Sequence, residues 1–492
     1  MKKGSLFSDA IGVTTSKIIV ACISLLSTML LSRFRSLTDY GTYSELIIMT
    51  NIISTGLFLG IPNSITYFVP RAESRIEKKT FIDTYYSSVI ILGLVSGLAL
   101  VGSLPLWSRY FENSKLNIYW FFLLVFPFTK IMTTSADNMF ICFGRTRQLI
   151  AYRVVHSVSQ LFLIFIVERV GLSFYYYMVM LAAEELVFSF AVIVLLRKEV
   201  GQFKLGIDRK LIKRILVFSI PLGLSSAVGM LNIEIDKLVI GHFLNTEELA
   251  IYSNASRDIP ISFFASAFTV ALMPRMTRMI KKKEYNEACE IWHNASVFSF
   301  YIIAFFVFFF CCFAKDVLSF LYSDKYVSGT NVFIVYSLGL ITQTTYFGMM
   351  LNVSGNTKFI FWGSIISLVS NLILNVVLFQ FFGVVGPAIA TVLSTSSLAL
   401  YQLLMTSKKL KINFSMIVGI KDYLQPLIIA TCMYLFFREV DKHISLRGAG
   451  VTIKLLSYGI VSSLIYFFFS RKKIISLIMI LKRKDSLEMA ET

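Results

Sequence analysis

Residues 218–244 read FSIPLGLSSAVGMLNIEIDKLVIGHFL, an apolar run that nevertheless carries Glu234, Asp236 and Lys237 within four positions. A charge at the centre of a bilayer costs about 2.5–3.5 kcal/mol even on the scales derived from insertion experiments. Either this run does not span a membrane, or its charged side chains face something other than lipid. The composition of the whole chain decides between the two.

The chain is apolar throughout. Of its 492 residues, 56% are hydrophobic and 15% are charged, and the mean hydropathy is +0.71. Its apolar runs approach the roughly 20 residues that cross a hydrocarbon core as a helix. We therefore predict an all-α polytopic membrane protein with fourteen transmembrane helices, at about 11–32, 43–69, 84–106, 118–142, 150–168, 173–196, 215–241, 250–273, 293–314, 331–353, 359–381, 384–406, 423–438 and 451–470.

The net charge of +18 reflects membrane topology rather than nucleic-acid binding. Lys and Arg lie in the short connectors between apolar runs, and alternate connectors differ about threefold in their number. Because cytoplasmic connectors are the ones enriched in Lys and Arg, both termini are predicted to be cytoplasmic. The first run follows a short basic start, MKKG, without a convincing cleavage site, and is predicted to be helix 1 rather than a removed signal peptide.

Sequence signals of catalysis are missing from this chain. No connector exceeds about 20 residues, which leaves no room for a soluble catalytic domain. The six cysteines contain no CxxC pair and lie mostly in apolar runs, which favours buried thiols over disulfides or a metal site. No phosphate-binding loop or nucleophile elbow occurs. We expect no enzyme activity, no metal and no cofactor.

The two halves of the chain resemble each other. PRAESRIEKKTF at 70–81 matches PRMTRMIKKKEY at 274–285 without gaps, and GRTRQLI at 144–150 matches GNTKFIF at 355–361. Internal repeats of this kind are common in transporters. We predict an N-terminal lobe at 1–200 (helices 1–6), a C-terminal lobe at 201–410 (helices 7–12) related to it in parallel orientation, and two extra helices with a basic tail at 411–492. By analogy, a central cavity lies between the lobes.

Several charged residues fall inside predicted spans. Lys130 lies near the middle of helix 4, and it either lines a polar cavity or pairs with Asp137, seven residues on and on the same face. Lys17 and Arg153 lie nearer the cytoplasmic ends of their helices, where they either line the cavity or extend to the interface. Glu184 and Glu185 are in the middle of helix 6.

The charged residues of the run at 218–244 also have expected partners. Glu234 and Lys237 share a helix face at i,i+3 and are expected to pair. Asp236 points elsewhere, and Arg257 is at a similar predicted depth on the next, antiparallel helix. An Asp236–Arg257 ion pair at the outer ends of these helices is predicted.

Three blocks resemble a known family. They are LLSRFRSLTDYGTYSELI (30–47), IPLGLSSAVGMLNIEIDKLVIGHFLNTEELAIYSNASRDIP (220–260) and LNVSGNTKFIFWGSIISLVSNLILNVVLFQFFGVVGPAIAT (351–391). The chain resembles the Wzx-type flippases of O-antigen and other polysaccharides, within the superfamily that includes MATE exporters and lipid II flippases. The resemblance implies two six-helix lobes around a cationic cavity, a location in the bacterial inner membrane, and possible partners among the polymerase and chain-length proteins of the same pathway.

The resemblance also implies a substrate and a mechanism. An undecaprenyl-pyrophosphate-linked oligosaccharide would move from the cytoplasmic to the outer leaflet by alternating access. The cationic residues nominated for the cavity are Lys17, Lys130, Arg153, Lys237 and Arg257, and the ion-coupling candidates are Asp137, Glu184 and Glu185. A MATE-like antiporter of small cations and a lipid II flippase are the alternatives. The first would favour an acidic cavity, whereas Lys130, Arg153 and Lys17 are basic.

Overall fold

Long helices make up nearly all of the computed structural model, which describes residues 3–201, 203–257, 259–443 and 450–491. In that part of the chain, eleven helices are long and apolar enough to cross a membrane, or twelve if one bent pair counts as a single span. An all-α membrane protein is thereby confirmed. The chain divides into two compact units, residues 1–250 and 251–492.

The first unit contains the helices α1 (Lys3–Phe34), α2 (Leu37–Leu57), α3 (Ser64–Phe68), α4 (Arg75–Gly102), α5 (Leu104–Tyr110), α6 (Trp120–Cys142), α7 (Thr146–Val170), α8 (Phe174–Val200) and α9 (Arg209–Phe243). Within it α1 packs on α7, α6 lies between α4 and α8, and α2 lies against α9. The helix α10 (Thr246–Ala255) follows and contains the boundary between the units.

The second unit continues with α11 (Ser262–Lys281), α12 (Tyr285–Cys312), α13 (Ala314–Tyr322), α14 (Thr330–Gly339), α15 (Met349–Val353), α16 (Thr357–Phe382), α17 (Val385–Leu410), α18 (Phe414–Val418), α19 (Ile420–His443) and α20 (Val451–Glu491). Here α16 pairs with α17, and α12 packs against α19 and α20. The lobe boundaries predicted at 200 and 410 stay a prediction, because proximity of helices does not test a sequence repeat. The helix α9, predicted to open the second lobe, packs against α2 of the first unit.

Three of the fourteen predicted helices are interrupted well away from their predicted ends. The run at 43–69 becomes α2, a short 3-10 helix at Ile61–Asn63 and α3, with a bend of 58°. Gly60 has φ +68° at this break and Pro62 follows it, a combination that a regular helix does not accommodate. The run at 250–273 is divided between α10 and α11, and the run at 331–353 is α14, a 3-10 helix at Leu340–Gln343 and α15.

One end of the first unit gathers the connectors that follow predicted helices 1, 3, 5 and 7. Arg35 donates a hydrogen bond from Nη1 to the carbonyl of Leu172 at 3.1 Å. The fully buried Glu45 accepts one from Asn113 Nδ2 at 2.6 Å and another from Thr246 Oγ1 at 2.8 Å. We call this the Glu45 end of the unit.

The opposite end of the first unit gathers the connectors that are rich in Lys and Arg. The backbone N–H of Lys204 donates to Asp83 Oδ1 at 3.1 Å, and that of Gly206 donates to Ser87 Oγ at 3.0 Å. The ammonium of Lys78 lies over the ring of Phe143. The two sets of connectors therefore lie at opposite ends, as alternating membrane spans require.

Candidate functional site

A polar network crosses the apolar interior of the first unit at Lys130, which is in the middle of α6. Its Nζ donates a hydrogen bond to Asn51 Oδ1 on α2. Asn51 in turn donates from Nδ2 to Glu234 Oε1 on α9 at 2.7 Å. Because one amide group carries both an acceptor and a donor, Asn51 can link an ammonium on one helix to a carboxylate on another.

The network ends at an ion pair within α9. Lys237 Nζ lies 2.9 Å from Glu234 Oε2, which confirms the predicted i,i+3 pair. The Glu234 side chain is 6% exposed and that of Lys237 is 19% exposed. We call Lys130, Asn51, Glu234 and Lys237 the Lys130 network.

The Lys130 network carries more positive than negative charge. Its two ammonium groups face one carboxylate, and Asn51 between them is neutral. Asp236 is buried and accepts a hydrogen bond from the backbone N–H of Lys237 at 2.7 Å, but it points to another side of α9, about 200° around the helix from Glu234. Two ammonium groups held inside a membrane-spanning unit can bind a phosphate anion.

A second charged cluster joins α1, α6 and α7. Arg153 contacts Asp137 through two nitrogens, Nε to Oδ1 at 2.9 Å and Nη2 to Oδ2 at 2.5 Å. Its third nitrogen donates to Ser16 Oγ at 3.3 Å. The structure thus pairs Asp137 with Arg153 and Lys130 with Asn51, so the predicted alternative of a Lys130–Asp137 pair is wrong.

The two glutamates predicted in mid-helix have different surroundings. Glu185 Oε1 accepts a hydrogen bond from Gln160 Nε2 at 2.8 Å and lies 3.4 Å from His156 Nε2. The oxygens of Glu184 are buried and have no hydrogen-bond partner of normal geometry in the described part of the chain. A buried carboxylate beside a histidine can exchange a proton.

Lys17 and Arg257 are the remaining nominated residues, and both are exposed. Lys17 is exposed on α1, one position from Ser16. Arg257 follows α10 in the second unit, where it is exposed beside Phe310 and Tyr336. The Asp236–Arg257 ion pair joins residues of different units and stays a prediction.

Sequence reasoning did not nominate four polar residues that these clusters use. Asn51 and Gln160 are uncharged and lie in apolar runs, and Ser16 and His156 are common in helices. The available signal was position, since Asn51 and Gln160 are amide side chains in the interior of predicted spans, where hydrogen-bond partners are required. That signal does not identify the partner.

The block at 351–391 contains a buried polar pair in the second unit. Asn371 and Asn375 are both fully buried on α16, and Asn375 Nδ2 donates to Asn371 Oδ1 at 2.8 Å. Thr391 on α17 lies 3.5 Å from the same oxygen. No group of three His, Cys, Asp or Glu side chains arranged to hold a metal occurs in the described residues.

Comparison with known protein families gives two matches, each over more than half of the chain. Residues 6–280 match the polysaccharide biosynthesis protein family, and residues 147–458 match the lipid II flippase MurJ family. The two matched regions overlap and together cover both units.

Individual relatives are more distant. Over 35% of its length the chain is 27% identical to a probable low-salt glycan biosynthesis flippase, Agl15, of Haloferax volcanii, and over 37% it is 24% identical to the capsular polysaccharide biosynthesis protein CapF of Staphylococcus aureus. The matches span 37% and 47% of those relatives. A solved structure of the lipid II flippase MurJ in an inward closed conformation superposes with a TM-score of 0.73 at 16% identity, over 96% of this chain and 100% of that one. At this identity the likeness shows the fold.

Proposed function

Because the chain belongs to the polysaccharide biosynthesis protein family of membrane flippases, we propose that it moves an oligosaccharide linked to undecaprenyl pyrophosphate from the cytoplasmic to the outer leaflet. The oligosaccharide is an O-antigen or a similar repeat unit. The protein transports this substrate by alternating access and makes or breaks no covalent bond.

The main structural support for this function is the Lys130 network, whose positive charge can compensate the negative charge of a pyrophosphate. A pyrophosphate diester carries about two negative charges, which cannot cross hydrocarbon unless they are compensated. Two ammonium groups linked across α2, α6 and α9 supply this compensation inside the membrane-spanning unit. The prenyl tail needs no such site, since it can stay in the lipid while the headgroup moves.

Further cationic contacts are proposed at Arg153, Lys17 and Arg257. Arg153 is already held by Asp137 and Ser16, so its contribution to the charge of the site is partly neutralised. Lys17 and Arg257 are exposed side chains.

Ion coupling is proposed at the His156–Glu185 pair, with Glu184 and Asp137 as neighbouring candidates. Replacing Glu185 by glutamine keeps the hydrogen bond to Gln160 but removes the charge opposite His156. We expect E185Q to lose most of the dependence of transport on a proton or sodium gradient, measured in proteoliposomes with imposed gradients. The exposed Glu112→Gln variant is the control. Transport by E185Q, E184Q and D137N that keeps its full dependence on the gradient would contradict this proposal.

Location in a bacterial inner membrane with both termini cytoplasmic is also proposed. The supporting observation is that the Lys- and Arg-rich connectors lie at one end of the first unit, opposite the Glu45 end. In a cysteine-free background, a membrane-impermeant maleimide should label Ser114→Cys in intact cells and Lys204→Cys after permeabilisation alone. The reverse pattern would invert the topology.

The proposed function is tested by deletion in the native host. We expect loss of surface polysaccharide together with accumulation of the lipid-linked unit in the inner leaflet, and restoration of both by the intact gene. Normal export without this chain would contradict the proposal. Because residues 147–458 match the lipid II flippase family, the second candidate is lipid II itself, and rescue of cells depleted of their lipid II flippase would favour it. Polymerase and chain-length proteins are possible partners to be sought by cross-linking in the same cells.

A further inference from the structure

Glu234 occupies the positions that an incoming phosphate would need. Its two oxygens accept from Asn51 Nδ2 at 2.7 Å and from Lys237 Nζ at 2.9 Å, and its side chain is 6% exposed. A carboxylate and a phosphate use the same donors, because both are anionic oxygen acceptors. A phosphate that binds Lys237 therefore competes with Glu234 for the same ammonium.

When no substrate is bound, the ammonium groups of the Lys130 network require a negative charge nearby, and Glu234 provides it. Ammonium groups left without a counter-ion inside a membrane-spanning unit are costly. A flippase must return without substrate after each delivery, so its phosphate site requires a compensating anion during that step. Glu234 supplies one negative charge directly to Lys237 and, through Asn51, it stabilises the network that holds Lys130.

We propose that Glu234 is an exchangeable counter-ion. The pyrophosphate displaces the Glu234 carboxylate from Lys237 and Asn51 when it binds, and the return of the carboxylate promotes release. This inference rests on the proposed function and adds a role for a residue that carries the charge opposite to that of the substrate-binding lysines. The competing interpretation is a purely structural one, in which Glu234 holds α9 against α2.

Counter-ion exchange and a purely structural role predict opposite changes in the affinity of an E234Q variant for pyrophosphate. In E234Q the amide keeps the shape of the side chain and an acceptor oxygen, but the competing charge is gone. We expect full-length E234Q in nanodiscs to bind undecaprenyl pyrophosphate about tenfold more tightly than the unaltered protein, a difference of about 1.4 kcal/mol. Its turnover in a flipping assay should fall, because release loses its competitor. A structural role predicts weaker binding.

If E234Q folds poorly, comparison of K237Q with the double variant K237Q/E234Q tests the same inference. K237Q leaves Glu234 without its cation, so pyrophosphate should bind about tenfold more weakly. Adding E234Q removes both charges of the pair, and the double variant should regain most of that loss. The matched control is Asp316→Asn in the second unit, where Asp316 contacts Lys454 at 2.9 Å and Asp441 also holds that lysine. It should bind as the unaltered protein does.

The outcomes separate this inference from the proposed function. Weaker binding by E234Q, or a double variant no better than K237Q, overturns the exchange of counter-ions while leaving the lysines as the binding groups. Unchanged binding in both K130Q and K237Q overturns the phosphate site itself, and the exchange with it.

Discussion

Replacing Lys130 by glutamine should lower transport of the lipid-linked oligosaccharide by about 100-fold, equivalent to about 2.7 kcal/mol. The change removes one of the two ammonium groups of the Lys130 network and leaves a neutral, polar side chain in its place. An interaction made with a charged phosphate contributes free energy of this order. Flipping rates in proteoliposomes, corrected for the amount of folded protein, provide the measurement.

Two further variants serve as controls for the loss of transport in K130Q. Lys130→Arg keeps the charge and should retain part of the activity, since its guanidinium is larger but also binds phosphate. Lys115→Gln removes an exposed lysine from the 3-10 helix at Ser114–Tyr119 and should transport normally. Full activity of K130Q would contradict the role of the Lys130 ammonium in transport.

Replacing Gly223 by alanine should be the most destabilising small substitution in α9. A Cβ at this position would lie 2.3 Å from the carbonyl carbon of Leu59 and 2.5 Å from the nitrogen of Gly60, both of them backbone atoms that cannot rotate away. Overpacking of this kind costs about 1–3 kcal/mol, and backbone neighbours favour the upper end. We expect a lower midpoint of thermal unfolding in detergent and less protein in the membrane.

The control for this prediction lies six residues further along the same helix. A Cβ added at Gly229 would meet no neighbouring atom within 4 Å, so Gly229→Ala should be neutral or slightly stabilising through helix propensity, by up to about 1 kcal/mol. Equal melting midpoints for G223A and G229A would show that α9 is not closely packed against the break after α2.

The spans were predictable because hydropathy over about 20 residues is a local property of the chain. The Glu234–Lys237 pair was predictable for the same reason, since residues at i,i+3 share a face in any helix. The position of the break at Gly60 was not predicted: Leu59 and Ile61 flank Gly60, so hydropathy gives one run at 43–69 although the backbone at Gly60 is not helical.

The functional network depends on contacts that periodicity does not reveal. Lys130 and Asn51 are 79 positions apart, and Asn51 and Glu234 are 183 positions apart. A single sequence identifies each as a polar residue in an apolar run, but not which helices lie side by side. The alternative of a Lys130–Asp137 pair is wrong for this reason, because Lys130 shares the helix face of Asp137 whereas Arg153 meets Asp137 across a hairpin.

The helices α2 and α9, together with the residues just beyond their ends, contact one another at three levels. Thr246, just after α9, binds Glu45; Glu234 binds Asn51; and Gly223 touches the backbone at Gly60. Along α9 these points span about 34 Å, close to the full thickness of the hydrocarbon core. A sliding motion of one helix past the other would have to undo all three attachments together. We therefore expect α2 and α9 to move together as one rigid body during the transport cycle.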